Sequence, residues 1–368
     1  MLPALRRLCS GQRDSRGSAL NLLMIALSGC VTQPPASSLY LPATVRSVVG
    51  NASVVDGRAH FREIFCAQLL SQPPLGGDTN CADWLWKLPG EPAPVAAKTM
   101  PRELDHRLRV VIVGGAFGDC YPDASRAFAD LSNKLKAASY YVEAIPISGR
   151  SSSKSNAQQI RDALPDLPKD GDGPLVLVGY SKGAMDILQM LAEPPGAPTA
   201  IAAVIAIAGS VNGSPLADRY AHLYDRLLAK HSIARCSEGD SGVVDSLRTT
   251  TRLAWWSHRS LPSSIRYYSL GSFTTPDRLP RSLLYPYKRL ARIDARNDGQ
   301  LLAQDQMIPG STLLGYVNAD HWAIAIHIED ALPFWAHRSQ GAHQFPQNAL
   351  LESALLYVQQ DLLPSAPD

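Results

Sequence analysis

An excess of charge of either sign is missing from this sequence. The 368 residues include 35 lysines and arginines against 33 aspartates and glutamates, so the formal net charge is +2. No obvious block of like charge interrupts the chain. Because binding to nucleic acid or to anionic lipid depends on clustered positive charge, the sequence indicates neither partner. A small or neutral partner is expected instead.

Long apolar segments, internal repeats and paired metal-binding cysteines are missing as well. The apolar run over residues 19–27 is shorter than the ~20 residues that a helix needs to cross a membrane. No internal repeat is visible, and no two of the last four cysteines lie a few residues apart, as zinc ligands usually do. What remains is 45% hydrophobic and 18% charged, which is typical of one large globular domain with embellishments or of two domains.

The N-terminus has the composition of a targeting segment. Four arginines precede the apolar run and small residues follow it, which is typical of a secretory signal that is later removed. The four residues 27–30 (LSGC) resemble a bacterial lipobox, in which the cysteine becomes the lipid-bearing first residue of the mature protein. We therefore predict a lipoprotein signal peptide over residues 1–29, lipid attachment at Cys30 and a tether over residues 30–50. The alternative is a plain signal peptide that happens to contain a cysteine.

The same resemblance implies a place in the cell. A lipid anchor contributes about 0.8 kcal/mol per buried methylene and holds a soluble domain at a membrane without a transmembrane helix. Val31 follows Cys30, so the aspartate associated with retention of lipoproteins in the inner membrane is absent. The resemblance thus implies a lipid anchor in the bacterial cell envelope and favours the outer membrane, with the domain facing the periplasm.

Export also changes what the cysteines are expected to do, because disulfides form in an oxidising compartment. Cys9 leaves with the signal peptide and Cys30 takes the lipid, which leaves four cysteines, Cys66, Cys81, Cys120 and Cys236. We predict a Cys66–Cys81 disulfide, since these two bracket a turn-rich stretch, and a longer bridge between Cys120 and Cys236. Four free thiols are the alternative.

The chain divides into an N-terminal extension over residues 51–104 and a regular α/β pattern after it. The extension contains a predicted helix over residues 59–70. Beyond it, short apolar runs predict strands over residues 108–113, 140–146, 175–178, 202–208, 265–270 and 312–317. Amphipathic spacing predicts helices between them, over residues 125–138, 156–164 and 184–191. Alternating strands and helices predict an α/β fold with a mostly parallel central sheet and helices on both faces.

The chemistry centres on a G-x-S-x-G pattern, Gly179 to Gly183, between an apolar strand and a helical run. In this context the pattern indicates a nucleophile elbow, a turn so sharp that the flanking positions must be glycine. The serine of the turn, Ser181, is expected to have a strained backbone, and the N-terminus of the following helix favours developing negative charge beside it. Ser181 is therefore the candidate nucleophile.

Four stretches of this sequence resemble the α/β-hydrolase superfamily, more narrowly its bacterial lipase and esterase branch. They are residues 110–118 (VVIVGGAFG), 175–183 (LVLVGYSKG), 205–218 (IAIAGSVNGSPLAD) and 297–323. The resemblance implies an α/β-hydrolase domain over residues 105–368. It also implies a triad in the chain order serine, acid, histidine.

Of the nine histidines, only His321 lies just past the last predicted strand, so we predict it as the general base. Asp298, in an Asn-Asp-Gly turn, is the preferred acid, and Asp305 is the rival because it also precedes that strand. Asp320 is too close in sequence to orient the ring of His321. A turn-forming or helix-capping role is the alternative for both Asp298 and Asp305.

The oxyanion hole is expected to consist of two main-chain N–H groups. Lys182, which follows the nucleophile, is the first predicted donor, and Ala116 or Phe117 is the second. Gly114 and Gly115 stand here in place of the family's usual His-Gly pair, so both choices stay open. Residues 215–262 are longer than a crossover requires and are predicted to form a cap, whose Trp255 and Trp256 line an acyl pocket or simply pack the insertion onto the body.

The reaction implied by these residues is hydrolysis of a small-molecule or lipid ester through an acyl-enzyme. It requires no metal and no organic cofactor. Thioesterase and phospholipase chemistry would use the same groups. A different possibility is an envelope lipoprotein that keeps the scaffold for binding and has no catalytic activity, because a fold does not determine a function.

Overall fold

The computed structural model describes residues 53–71, 80–93, 103–120, 125–168, 173–227, 237, 239–327 and 345–363. The predicted signal peptide, Cys30 and the tether lie outside these residues, and so does Cys236, the predicted partner of Cys120. These parts of the sequence interpretation stay predictions. Within the described ranges, no helix is long and apolar enough to cross a membrane.

A seven-stranded sheet forms the centre of the molecule, and every strand pairing in it is parallel. The strands, in chain order, are β1 Val55–Asp56, β2 Arg109–Val113, β3 Tyr141–Ile145, β4 Leu175–Tyr180, β5 Ala203–Ile207, β6 Arg266–Ser272 and β7 Thr312–Val317. Their order across the sheet is β1-β7-β6-β5-β4-β2-β3. The predicted α/β class is confirmed, and the nucleophile strand β4 lies inside the sheet between β2 and β5.

Helices connect these strands and cover the sheet. Their bounds are α1 Arg58–Ser71, α2 Cys81–Trp84, α3 Ala129–Ala137, α4 Ser153–Ala163, α5 Lys182–Ala192, α6 Pro215–Leu227, α7 Val243–Ser246, α8 Thr249–Trp256, α9 Arg281–Leu290 and α10 Gln347–Leu362. Successive residues of a strand point to opposite faces, and the central strands are apolar throughout because both faces are buried. Thus Val110 packs in the cluster with α1, α3 and α10, whereas Val111 packs in the cluster with α4, α5 and α8.

The elements that the sequence analysis predicted lie within two residues of their observed bounds, except α3 and α4, and β1 was not predicted. A helix was expected from residue 125, but it begins only at Ala129. Phe128 directly before it has a left-handed backbone (φ 54°, ψ 36°), which is incompatible with a continuing helix. Its N–H instead donates to the carbonyl of Ala325, 2.8 Å away. A contact with a distant part of the chain therefore sets the start of this helix.

The N-terminal segment is built into the same sheet and core. Strand β1 pairs with the edge of β7, and α1 packs on β7 and α10. Phe61 and Phe65 of α1 are fully buried in the larger apolar cluster. A Cys66–Cys81 disulfide, with 5.3 Å between the two Cα atoms, joins α1 to α2 and is the pairing that the sequence predicted. The part of the chain expected as an extension thus completes one edge of the sheet.

This packing predicts a difference between two apolar residues of the same helix. Phe61→Ala removes a fully buried ring, and we expect it to lower the free energy of unfolding by about 3–5 kcal/mol. Leu70→Ala, at a side chain that is 69% exposed, is the control and should change it by less than about 0.5 kcal/mol. Urea unfolding followed by circular dichroism measures both. Equal, small effects would show that α1 does not contribute to the core.

Candidate active site

Ser181 lies in a sharp turn between β4 and α5. Its backbone has φ 53° and ψ −122°, a region that residues with a side chain rarely adopt. A Cβ atom on Gly179 would lie 2.3 Å from the Cα of Ala184, and one on Gly183 would lie 2.3 Å from the carbonyl oxygens of Val113 and Gly114. Both positions of the G-x-S-x-G pattern therefore have to be glycine, because strand, turn and helix approach too closely for any side chain.

His321 lies in the turn after β7 and faces the serine. Its Nε2 is 2.8 Å from Oγ of Ser181, and its Nδ1 is 2.8 Å from Oδ2 of Asp298. All three residues are buried, and the backbone N–H of His321 also donates to the carbonyl of Asp298. The structure thus brings the three predicted triad residues into one hydrogen-bonded chain.

The carboxylate of Asp298 is held by four further donors. The hydroxyl of Ser272 donates to Oδ2 at 2.8 Å and the amide of Gln306 at 3.3 Å, while two backbone N–H groups bind Oδ1, those of Gln300 and Leu301. The rival Asp305 does not contact His321; its carbonyl accepts the N–H of Asn212. Between the two acids that the sequence left open, the geometry selects Asp298.

A buried tyrosine binds the backbone of the histidine. Tyr180 donates its hydroxyl to the carbonyl of His321 at 2.6 Å. Burial raises the pKa of Tyr180 well above its ordinary value, and the carboxylates of Asp298 and Asp320 add to this rise. The phenol therefore keeps its proton and remains a donor across the whole range in which a histidine titrates.

One of the two oxyanion candidates after β2 is occupied. The N–H of Phe117 donates to the carbonyl of Gly149 at 2.9 Å, so the expectation that it serves as an oxyanion donor is wrong. Among the described residues, the N–H groups of Ala116 and Lys182 make no hydrogen bond. Both residues border the serine, Ala116 in the wall of the cavity at Ser181 and Lys182 at the start of α5. These two amides are the donors available to a developing negative charge.

Several solved structures are similar to this chain. A metagenomic carboxyl esterase, MGS0156, is 33% identical, with a TM-score of 0.76 over 89% of this chain and 100% of that one. The chain belongs to the α/β-hydrolase family. The mature lipase BlEst2 of Bacillus licheniformis is 20% identical (TM-score 0.47, 60% of this chain and 87% of that one), and EstA of Clostridium botulinum is 13% identical (0.45, 80% and 97%). No family model and no curated protein matches the chain.

Two side chains that hold the acid of this α/β-hydrolase were missed by sequence reasoning. Ser272 is the last residue of β6, and polar residues at the carboxyl ends of parallel strands often reach into a site, so a signal for it existed. Gln306 is fixed by reciprocal bonds to the backbone of Ser272, its Oε1 at 2.7 Å from the N–H and its Nε2 at 2.9 Å from the carbonyl. No pattern in the sequence indicates this long-range pairing.

A cavity of about 580 Å³ opens over the serine. Its lining is mostly apolar and comes from the loop after β2, from α6 and α7 of the predicted cap, and from α9; members are Leu216, Ala217, Val244, Leu247, Leu283 and Pro286. Trp255 and Trp256 do not line it. Trp256, the last residue of α8, is buried, and its indole N–H donates to the carbonyl of Val211. The indole N–H of Trp255 donates to Glu193. Of the two interpretations of these tryptophans, packing of the insertion onto the body is the one observed.

A buried ion pair supports α5, the helix that follows the nucleophile. Nζ of Lys182 lies 2.8 Å from Oδ1 of Asp186, one turn along, and Asn156 of α4 donates to Oδ2 at 2.8 Å. Both charged side chains are fully buried. Desolvation by burial lowers the pKa of Lys182, and the neighbouring Asp186 opposes that shift. Because both side chains are fully buried, solvent cannot replace a lost partner of either charge.

We therefore expect Lys182→Met to lower the free energy of unfolding by about 3–5 kcal/mol, since it leaves Asp186 charged, buried and unpaired. The double change Lys182→Met with Asp186→Leu should recover most of this loss. Lys136→Met is the control, because its pair with Glu143 is exposed and is worth less than about 1 kcal/mol. Chemical denaturation measures all three. A Lys182→Met protein as stable as the control variant would contradict the assignment of a buried pair.

Proposed function

We propose that this protein is a serine hydrolase that cleaves carboxylic esters through an acyl-enzyme. The observation that carries the proposal is the continuous chain of hydrogen bonds from Ser181 through His321 to Asp298, at a serine with positive φ. A serine hydroxyl is a poor nucleophile until a base takes its proton, and this geometry provides the base. The likeness to a carboxyl esterase over that protein's whole length supports ester hydrolysis.

In the first half of the reaction, Oγ of Ser181 attacks the ester carbonyl while Nε2 of His321 takes the hydroxyl proton. Asp298 stabilises the resulting imidazolium and fixes its orientation. The N–H groups of Lys182 and Ala116 stabilise the negative charge on the carbonyl oxygen. His321 then gives the proton to the leaving alcohol. The acyl group stays on Ser181.

Water completes the cycle by the reverse sequence of proton transfers. His321 takes a proton from water, the hydroxide attacks the acyl carbonyl, and the proton returns to Ser181 as the carboxylic acid departs. The apolar walls of the cavity favour an aliphatic acyl chain or alcohol. Every step uses side chains and amides of this chain. Thioesters and phospholipids would form the same kind of acyl-enzyme. Turnover rates measured over a series of acyl groups and leaving groups therefore identify the substrate class.

The nucleophile is tested by Ser181→Ala. We expect a folded protein whose activity on short p-nitrophenyl esters falls at least about a thousandfold, because the oxyanion donors remain but the attacking oxygen is gone. A fluorophosphonate probe should label the original protein and not this variant. Ser132→Ala, at a serine that does not line the cavity, should keep both activity and labelling. A wild-type protein that neither hydrolyses esters nor reacts with the probe would favour a scaffold used only for binding.

We further propose that the domain is held at the bacterial outer membrane, facing the periplasm, by a lipid on Cys30. The lipobox-like segment at residues 27–30 and the absence of aspartate after the cysteine support this placement. No transmembrane helix is needed, because the acyl chains alone anchor a soluble domain.

Metabolic labelling tests the anchor. Cells fed an alkyne analogue of palmitate should incorporate it into the full chain, which should sediment with membranes. Cys30→Ser should abolish both, whereas Cys9→Ser should retain both, because Cys9 is predicted to leave with the signal peptide. Labelling that persists in Cys30→Ser would exclude this attachment site.

A further inference from the structure

Two helices meet at the rim of the cavity, and tyrosines join them. Tyr220 of α6 lines the cavity itself, as do Leu283 and Pro286 of α9. Tyr285, beside Pro286, is 58% exposed. The hydroxyl of Tyr220 donates to the hydroxyl of Tyr285 at 3.3 Å. The wall of the cavity is therefore continuous with an exposed phenol.

Arg289, one turn further along α9, is bound to the same phenol oxygen. Its Nε and Nη2 lie 3.1 and 2.8 Å from the hydroxyl of Tyr285, and its guanidinium carbon lies 5.2 Å from the centre of the tyrosine ring. The Tyr285 oxygen thus accepts bonds from Arg289 and Tyr220. Within the described residues the phenol proton of Tyr285 and Nη1 of Arg289 have no acceptor. Tyr285 is exposed and Arg289 is partly exposed, so a ligand can reach both donors.

The positive charge of this cluster has no carboxylate to neutralise it among the described residues. The hydrogen bond to Tyr285 raises the pKa of Arg289, while hydrogen bonds from Tyr220 and Arg289 lower the pKa of Tyr285, and the charge of Arg219 adds to this. Two acids close to this cluster along the chain, Asp218 and Asp294, have other partners. Asp218 binds Thr249, Thr250 and Arg248, and Asp294 binds Arg296.

We propose that Arg289 and Tyr285, bridged to the cavity by Tyr220, form a subsite for an anionic group, a carboxylate or a phosphate, on the ester that this enzyme cleaves. The inference rests on the proposed ester hydrolysis, because it places the reacting carbonyl at Ser181 and the anion just outside the cavity, beyond Tyr220 in its wall. A planar guanidinium and a phenol, with N–H and O–H groups that bond to no acceptor in the described part of the chain, match the oxygens of such an anion. The near-neutral chain as a whole gives no general attraction for anions, so recognition comes from this local cluster.

The test compares esters that differ only in charge. The pair is para-carboxyphenyl butyrate and its neutral methyl ester, and para-butyryloxyphenyl phosphate replaces the carboxylate by phosphate. In Arg289→Gln we expect kcat/KM for the anionic esters to fall about fivefold to tenfold, through KM, and that for the neutral ester to change less than about twofold. Tyr285→Phe should move the same ratio in the same direction. Raising the salt concentration should lower the preference of the unaltered protein for the anionic esters.

Arg292→Gln is the matched control, since Arg292 is an exposed arginine just after α9 that is not bonded to Tyr285. It should leave the ratio unchanged. Equal losses on charged and neutral esters in Arg289→Gln, an equal shift in Arg292→Gln, or no shift would overturn the subsite. The carboxylate and phosphate arms decide which anion is preferred.

A binding measurement separates this inference from the proposed reaction. In the Ser181→Ala protein, titration calorimetry with para-butanamidobenzoate, an amide that keeps the shape of the ester, should show tighter binding than its neutral methyl ester. Adding Arg289→Gln should remove the difference. Equal binding of both amides would overturn the subsite even if Ser181 is the nucleophile. A clear difference would support it even if the proposed hydrolysis failed.

Discussion

The site depends on one strained turn. Ser181 adopts a backbone that costs on the order of 1–3 kcal/mol, and it persists because its surroundings leave no alternative. Its N–H donates to the carbonyl of Ile207 at 3.1 Å, and its own carbonyl accepts the N–H of Ser210 at 3.0 Å. The turn is thus fixed to the end of β5 as well as to β4 and α5. Gly179 and Gly183 leave room for the sharp turn, and the hydrogen bonds to Ile207 and Ser210 hold it in place.

The parallel sheet also explains how distant residues meet. Strands β4, β6 and β7 point the same way, so the segments after their carboxyl ends lie along one edge of the sheet. Ser181 follows β4, Asp298 lies between β6 and β7, and His321 follows β7. Asp298 binds both the ring nitrogen and the backbone N–H of His321, so two hydrogen bonds fix the histidine to the acid. The polar chain is thus preorganised before any substrate enters the cavity.

The sequence could predict features set by local pattern, but not those set by contacts between distant residues. Local pattern was enough for strands β2 to β7, the elbow and the nucleophile, because each of these signals lies within a short stretch of the chain, whereas the two-residue β1 was missed. The sequence favoured Asp298 but kept Asp305 as a rival, since both precede β7, and the bond between Asp298 and the ring of His321 is what distinguishes them. It also could not foresee that Gly149 takes the N–H of Phe117. These failures all involve partners far apart in the chain, which composition and periodicity do not record.

The position of the remaining oxyanion donor depends on the cap region. Asp119, three residues after Ala116, accepts the N–H of Gly149 at 3.0 Å through one oxygen, and through the other it accepts the N–H of Ser237 at 3.1 Å. Gly149 in turn receives the bond from Phe117, and a Cβ there would lie 2.6 Å from the Cα of Phe117. The loop that carries Ala116 is therefore clamped between the segment after β3 and the insertion that forms the cavity wall. In the proposed mechanism, a change in the insertion that displaces Ser237 would reach the loop of Ala116 through Asp119, which couples substrate fit to stabilisation of the oxyanion.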